Sequence, residues 1–235
     1  MLEILHRSDR LVVLNKPTDV SLLADRSGAA CLWDGLAEAL GSKPYLVHRL
    51  DKGTSGVLLV ALHPDTQRQL TRAFQQRHVR KFYLTAVTGN IDGGRTLTLD
   101  LPLRKGRKSR YRVAGRREDI GRSSAGWSLA TGSASADGKP SRTRIRVLRH
   151  EPGASWLLAE PVTGRTHQLR VQLAWIGHPI LGDHLYGRPD APEQRAPRLM
   201  LHCHRLVVPE VGTFTAPLPD DLAGHRTPVG ARAAD

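Results

Sequence analysis

The run VLLVAL at residues 57–62 constrains this chain more than any other stretch. Its apolar side chains follow one another without a polar break, so the segment reads as a strand buried on both faces, and it is too short for a core helix. The polar segment HRLDKGTSG, 48–56, leads directly into it. Asp51 sits there among basic residues, ahead of Gly53, Thr54, Ser55 and Gly56. A carboxylate anchored to a rigid strand is held with little positional error, which a reactive group requires. The plain alternative is a loop carboxylate that caps a turn or pairs with Arg49 or Lys52.

The rest of the chain repeats short apolar runs broken by turns. LVVL at 11–14 predicts a second buried strand, stopped by NKPTD. Leu32, Leu36 and Leu40 recur at four-residue spacing and predict a helix over 29–40, ended by Gly41. Tyr45, Leu46 and Val47 read as extended. A helix over 65–78 starts at Pro64 and carries Leu70 and Phe74 on one face. Strands are predicted at 81–87, 143–148, 155–161 and within 201–208, with a turn from Gly89 to Gly94. Leu169, Leu173 and Ile176 share a face of a third helix, with Thr166 as its N-cap. HPILGDHLYG, 178–187, reads as a turn-rich loop. Residues 118–140 are rich in Ser, Gly and Ala and read as a loop insertion, with a short strand around 127–129. Residues 229–235 read as a frayed tail. Without regular βαβ alternation, this pattern predicts an α+β fold on a largely antiparallel sheet, as one domain over 1–228.

Charge narrows the partners. The 235 residues carry a net charge of +13, which attracts polyanions: nucleic acid first, an anionic membrane second. The segment 101–117 holds eight Lys or Arg and no acid, interrupted by Tyr111. A solvated face is its plain reading, and a strand-loop that grips an RNA backbone is its functional one. Two cysteines, Cys31 and Cys203, argue against a disulfide scaffold. The first residues lack a signal peptide's apolar centre, and no apolar run approaches the ~20 residues that span a bilayer. The expectation is a cytoplasmic protein without a membrane partner. Glycine-rich nucleotide-binding fingerprints are absent. His48, His167, His178, His202 and His204 match no common zinc spacing, so no metal is expected.

HRLDKGTSGVLLVAL closely resembles the catalytic segment of the RluA-type RNA pseudouridine synthases. RLVVLNKP at 10–17, RKFYLTAV at 80–87, GRTHQLRVQLAWIGHPILGDHLYG at 164–187 and LHCHRL at 201–206 resemble further segments of that family, in the expected order. The resemblance implies a central mixed, mostly antiparallel sheet with flanking helices, crossed by a basic cleft. It implies isomerisation of specific uridines in structured RNA, 23S ribosomal or transfer RNA, without a cofactor or an obligate protein partner. By the same resemblance Asp51, Tyr83 and Arg170 are catalytic: Asp51 either attacks C1′ or removes a sugar proton, Arg170 pairs with it, and Tyr83 packs on the base, its hydroxyl taking part in removal of the C5 proton. Arg49 helps expel the target base, which must leave the stack for its C1′ and C5 to be reached. Arg165, His167, Lys105, Arg107, Lys108 and Arg110 are assigned to RNA binding or base flipping, and Thr54 and His48 to orienting the site. Many relatives carry an N-terminal RNA-binding domain of the S4 type. Here the pattern begins by residue 10 and leaves no room for one.

Two rivals come from other classes. A non-catalytic RNA-binding protein accounts for the charge, but a carboxylate beside RNA phosphates would repel its ligand. A glycoside hydrolase needs a second acid, and none is evident beside these segments.

Overall fold

The computed structural model describes residues 2–24, 28–92, 96–108, 110–187 and 196–223. Twelve strands form one sheet. Its N-terminal part is β1 (Glu3–Arg7), β2 (Leu11–Lys16), β3 (Tyr45–Leu46) and β4 (Ser55–Ala61). Every residue of β4 is buried, as its unbroken apolar run requires. Val57, Leu59 and Ala61 pack on one face with Val13, Leu70 and Leu206, whereas Leu58 and Val60 pack on the other with Val12, Leu14 and Leu36. Between β2 and β4 lies the short helix α1 (Leu36–Leu40), and α2 (Pro64–Gln75) follows β4.

The remaining strands are β5 (Arg80–Thr88), β6 (Leu97–Asp100), β9 (Ile120–Ser123), β10 (Gly126–Leu129), β11 (Arg142–Glu151), β12 (Ala154–Pro161), β13 (Leu201–Val208) and β14 (Gly212–Thr215). The sheet runs β1-β2-β4-β13-β5-β12-β11-β6-β10-β9, with β14 on β13 and β3 on β4. Only β13·β4 and β10·β6 are parallel, so the sheet is mixed and mostly antiparallel. The helix α3 (Gln168–Trp175) packs Leu169 and Leu173 onto the core of Leu97, Leu99, Ile145 and Leu157. β7 (Leu103–Lys105) and β8 (Tyr111–Val113) form a separate two-stranded sheet that carries the basic segment, and α4 (Asp220–Ala223) ends the described chain.

The β4–β13 pairing joins the two halves of the sheet, and one glycine permits it. Gly56 has φ +108°, and a Cβ there would stand 2.2 Å from the Cys203 carbonyl oxygen. No other residue fits without moving β13.

Three expectations change. The helix predicted over 29–40 is confined to Leu36–Leu40. The Asp34 carboxylate accepts from the Cys31 amide at 3.0 Å, a local bond that favours a turn, and Gly35 lowers helix propensity next to it. The second helix ends at Gln75, and Arg77 beyond it takes a left-handed φ of 63°. The loop expected over 118–140 contains the β9–β10 hairpin, whose second strand is the one expected at 127–129 and whose first was not expected; the hairpin extends the main sheet. Trp127 anchors it by burying its ring in the core with Leu99 and Ile145. Part of the expected turn at 89–94 and the expected tail at 229–235 lie outside the described residues.

At the β4–β13 seam, the His202 side chain is fully buried, with Nδ1 2.9 Å from Ser55 Oγ. Burial, reinforced by His204 and Arg198, pushes its pKa down to about 4. The unfolded chain, titrating near 6.5, therefore binds more protons between those values. This contribution to stability is whole above about pH 6.5 and is lost as pH falls towards 4. We expect the loss to be on the order of 3 kcal/mol, read as a falling urea midpoint. A His202→Asn variant should show a flatter dependence over the same range.

Candidate active site

Asp51 lies in a four-residue turn immediately before β4. Each carbonyl of the turn has a donor. Asp51 O accepts from the Thr54 amide at 3.0 Å, and Gly53 O from Thr18 Oγ1 at 2.9 Å. Lys52 O and Thr54 O both accept from Lys16 Nζ at 3.0 Å, which also donates to Pro17 O at 2.8 Å. Lys16 ends β2 and is fully buried. Burial pushes its pKa down to about 8, against the pull of Asp19 and Asp51. Three acceptors call for the ammonium form, because a neutral amine has only two N–H bonds to give. The Asp51 turn is thus tied to the end of a neighbouring core strand.

Asp51, Tyr83 and Arg170, which come from three distant segments, line one cavity. Arg170 Nη1 lies 3.5 Å from Asp51 Oδ2, and His167 Nε2 lies 3.8 Å from the same oxygen. The firm partner of Arg170 is a different one. Its Nε and Nη2 donate to the two oxygens of Asp183, each at 2.8 Å, in a bidentate pair. The expected Arg170–Asp51 pairing is therefore corrected to a shared one, with Asp183 holding the guanidinium plane and one Nη left towards Asp51. Burial opposes the charge on both Arg170 and Asp183. Their mutual attraction prevails, so the Arg170 pKa is raised and the Asp183 pKa lowered. Asp183 Oδ1 also accepts the Leu185 and Tyr186 amides at 2.9 and 3.1 Å.

His167 precedes α3 with a left-handed φ of 55°. The helix start expected at Thr166 has no side-chain cap. Instead Gln168 Oε1 accepts from the Arg165 amide at 3.0 Å and from Thr163 Oγ1 at 2.7 Å. Gln172, one turn on and fully buried, donates to Leu101 O and Ser141 O. These two glutamines pin α3 to the sheet and set the height of His167 and Arg170. Burial lowers the His167 pKa, although Asp51 pulls it up. At neutral pH the ring is uncharged, and 3.8 Å is too long for a hydrogen bond to Asp51.

Two cavities, of about 790 and 510 Å³, meet at Asp51 and share Arg49, Leu50, His167 and Arg170 on their walls. The smaller is lined also by His48, Thr54, Lys81, Tyr83, Arg165, Leu169 and Leu201. Arg49 is exposed at the common rim. Tyr83 faces the smaller cavity from β5, opposite Cys203 in the β5–β13 register. Burial, then Cys203 and Asp51, raises its pKa well above that of a free phenol. This opposes the expectation that its hydroxyl takes a proton, since the phenolate is disfavoured. His48 Nε2 accepts the Leu59 amide at 2.9 Å, and its ring stacks on Phe74 with centroids 4.6 Å apart. Burial and Lys81 push its pKa to about 3, so it serves as a neutral spacer. Arg165 Nε donates to Pro140 O at 3.2 Å.

Lys105, Arg107, Lys108 and Arg110 are exposed and line neither cavity. Lys105, Arg107 and Arg110 border a separate groove with Arg112, Arg117 and Trp175. The two places are bonded to each other through Tyr186, whose hydroxyl accepts from the Tyr111 amide at 3.0 Å and lies 2.8 Å from His167 Nδ1. Among the described residues no group of three or more His, Cys, Asp or Glu is placed to hold a metal ion, and no helix is long and apolar enough to cross a membrane. Sequence reasoning missed Lys16, Asp183 and Tyr186 as parts of the site. A lysine that closes an apolar strand was the one available sign of the first.

A carboxylate set between a fixed arginine and a neutral imidazole, in a cleft rimmed by Arg49, Lys52 and Arg165, suits an enzyme that works on an anionic polymer. A sequence profile described as RNA pseudouridylate synthase matches residues 10–175. The chain is 34% identical to the "Dual-specificity RNA pseudouridine synthase RluA" of Escherichia coli O157:H7, over 92% of this chain and 93% of that protein. It is also 34% identical to the "Ribosomal large subunit pseudouridine synthase D" of Nitrosomonas europaea, over 94% of this chain but only 63% of that protein. Among solved structures, "Human RNA Pseudouridylate Synthase Domain Containing 1" superposes with a TM-score of 0.72 at 30% identity, over 94% of this chain and 84% of that one. "Human RNA Pseudouridylate Synthase Domain Containing 4" gives 0.74 at 25% identity, over 92% of this chain and 88% of that one. The chain belongs to the RluA-type RNA pseudouridine synthase family. It is accordingly an enzyme of RNA modification, an isomerase that turns uridine into pseudouridine.

Replacing Lys16 with Met keeps the volume and removes two donors from the Asp51 turn and one from the Pro17 carbonyl. We expect a loss of roughly 2–3 kcal/mol in urea denaturation, the usual scale for buried carbonyls left unpaired. Unchanged stability would mean that the turn holds its shape without Lys16.

Proposed function

We propose that this enzyme isomerises a uridine in a stem-loop of 23S ribosomal RNA or transfer RNA, in the cytoplasm, with Asp51, Arg170 and Tyr83 as its catalytic residues. The observation that carries the reading is the position of Asp51 on the wall between two cavities, 3.5 Å from Arg170. One cavity has the size of a nucleoside pocket and the other leaves room for the adjoining strand. The names of two relatives, one of the large ribosomal subunit and one of dual specificity, support a ribosomal target and allow a second one.

The target uridine turns out of its stack into the smaller cavity, and Arg49 at the rim fills the space it leaves. Tyr83 packs on the ring. The C1′–N1 bond breaks with its electron pair passing to the base. Asp51 meets the positive character at C1′, either by forming a bond to it or by taking a proton from the sugar. The detached uracil rotates, and C5 bonds to C1′ as the Asp51–C1′ bond breaks or, in the other case, as Asp51 returns its proton to the sugar; the C5 proton then leaves and N1 takes one up. Asp51 is the one carboxylate lining this cavity among the described residues, and it is free to receive the C5 proton once C5 has bonded to C1′. Arg170, held flat by Asp183, orients Asp51 through both steps. Lys105, Arg107, Lys108 and Arg110 contact the RNA backbone beyond the cleft.

The test is tritium release from C5-labelled uridine in unmodified ribosomal and transfer RNA transcripts. Wild type should release tritium and Asp51→Asn should not, with folding intact. Arg170→Ala should lower the single-turnover rate about 100-fold or more while RNA affinity changes less. Near-normal release by Asp51→Asn would remove Asp51 from the chemistry. RNA binding by wild type without release from any transcript would favour the non-catalytic reading.

A further inference from the structure

Lys81 is a cation in the smaller cavity that the scheme above does not use. It precedes Tyr83 by two residues on β5, so both side chains leave the same face of the strand. Both line the cavity that contains Asp51. Its Nζ lies 3.3 Å from the point where a Cβ on Gly164 would stand, beneath the segment that leads to His167. It is half-buried, and its ammonium makes no hydrogen bond or ion pair with a described residue. A desolvated ammonium without an acceptor is costly.

The neighbours do not supply a counter-charge. Burial pushes the Cys203 thiol up to about 12, so it stays neutral. Tyr83 is held as the phenol, and His48 is neutral. Asp51 is faced by Arg170 and His167 and forms no ion pair with Lys81. Burial lowers the Lys81 pKa, with Cys203 opposing. The ammonium thus has donors to offer to a group that enters the cavity.

We infer that Lys81 is a uracil-recognition residue: its ammonium donates to a carbonyl oxygen of the flipped base, O4 or O2, and stabilises the charge that collects there when C1′–N1 breaks. This rests on the reading of the cavity as the uracil site. The electron pair of the broken bond enters the ring and is shared among N1, O2 and O4. The charge arises whether Asp51 bonds to C1′ or removes a sugar proton, so the role of Lys81 does not depend on that choice. A fixed cation at a developing oxyanion acts on the transition state more than on the ground state. Contact at O4 also rejects cytosine, which presents an amino donor where uracil presents an acceptor.

The test is a cycle of enzyme and substrate variants under single-turnover conditions, on a transcript that the wild type modifies. The target uridine is supplied as such, as 4-thiouridine or as 2-thiouridine, whose sulfur accepts a hydrogen bond poorly. Lys81→Met should slow the normal substrate by about 100-fold, with Lys81→Arg in between. Wild type should be slowed by one of the two thio substitutions, which identifies the oxygen. Lys81→Met should show that penalty reduced or absent, as coupling requires. An unchanged rate in Lys81→Met, or a thio penalty equal in both enzymes, would overturn the proposal and leave Lys81 a packing role. A wild type that forms no pseudouridine on any transcript would instead overturn the reading of the cavity itself.

Discussion

The position of Asp51 depends on one buried ammonium. Lys16 ends a core strand, reaches across to the turn before β4, and gives its hydrogens to Pro17, Lys52 and Thr54 carbonyls. Thr18 and Thr54 close the remaining carbonyls of the turn. The turn cannot shift unless β2 shifts with it, and β2 lies inside the sheet with its apolar side chains fully packed. A desolvated lysine costs stability on its own account. Here its three acceptors and the nearby Asp19 and Asp51 offset that cost, and the result is a carboxylate fixed to the rigid part of the molecule.

The opposite wall is built by different means. α3 is held by Gln168 and Gln172, buried amides that bond to the edges of β6 and β11 rather than to water. The arginine that α3 presents is divided between two carboxylates. Asp183 takes it bidentately and fixes its plane, and Asp51 receives what is left at 3.5 Å. An arginine bound tightly to Asp51 would compete with any role of that carboxylate at a sugar carbon. One anchored elsewhere can orient it and still release it. Tyr186 joins this wall to the basic β7–β8 sheet through Tyr111, so the cleft and the outer basic groove are parts of one bonded framework.

Much of the site was legible as sequence. Asp51, Tyr83 and Arg170 were named from segments far apart in the chain, and the unbroken run at 57–62 forms the buried strand that it predicts. Other features were hidden for physical reasons. The short strand predicted at 127–129 forms as β10, but its hairpin partner β9 was hidden, because the serine and glycine around it read as a loop. The leucine repeat at 32–40 reads as a helix, yet Asp34 and Gly35 supply a local turn that defeats its first half. At 166–168 a hydroxyl residue reads as a cap, but Gln168 bonds to the Arg165 amide instead and His167 is left in a strained conformation.

The sequence by itself determined the α+β class, the more apolar strands of the sheet, the family and the residues that the family relates to chemistry, because these follow from local periodicity and from contiguous segments; β1, β6, β9 and β14 were not among the strands it predicted. Only the tertiary structure decided what those residues touch. That Lys16 holds the Asp51 turn, that Asp183 grips Arg170 more firmly than Asp51 does, and that Lys81 stands beside Tyr83 with no ion-pair partner among the described residues are matters of distance between remote parts of the chain. A hydrogen bond or an ion pair exists only when folding brings donor and acceptor within about 3 Å, and no local pattern of residues encodes that meeting.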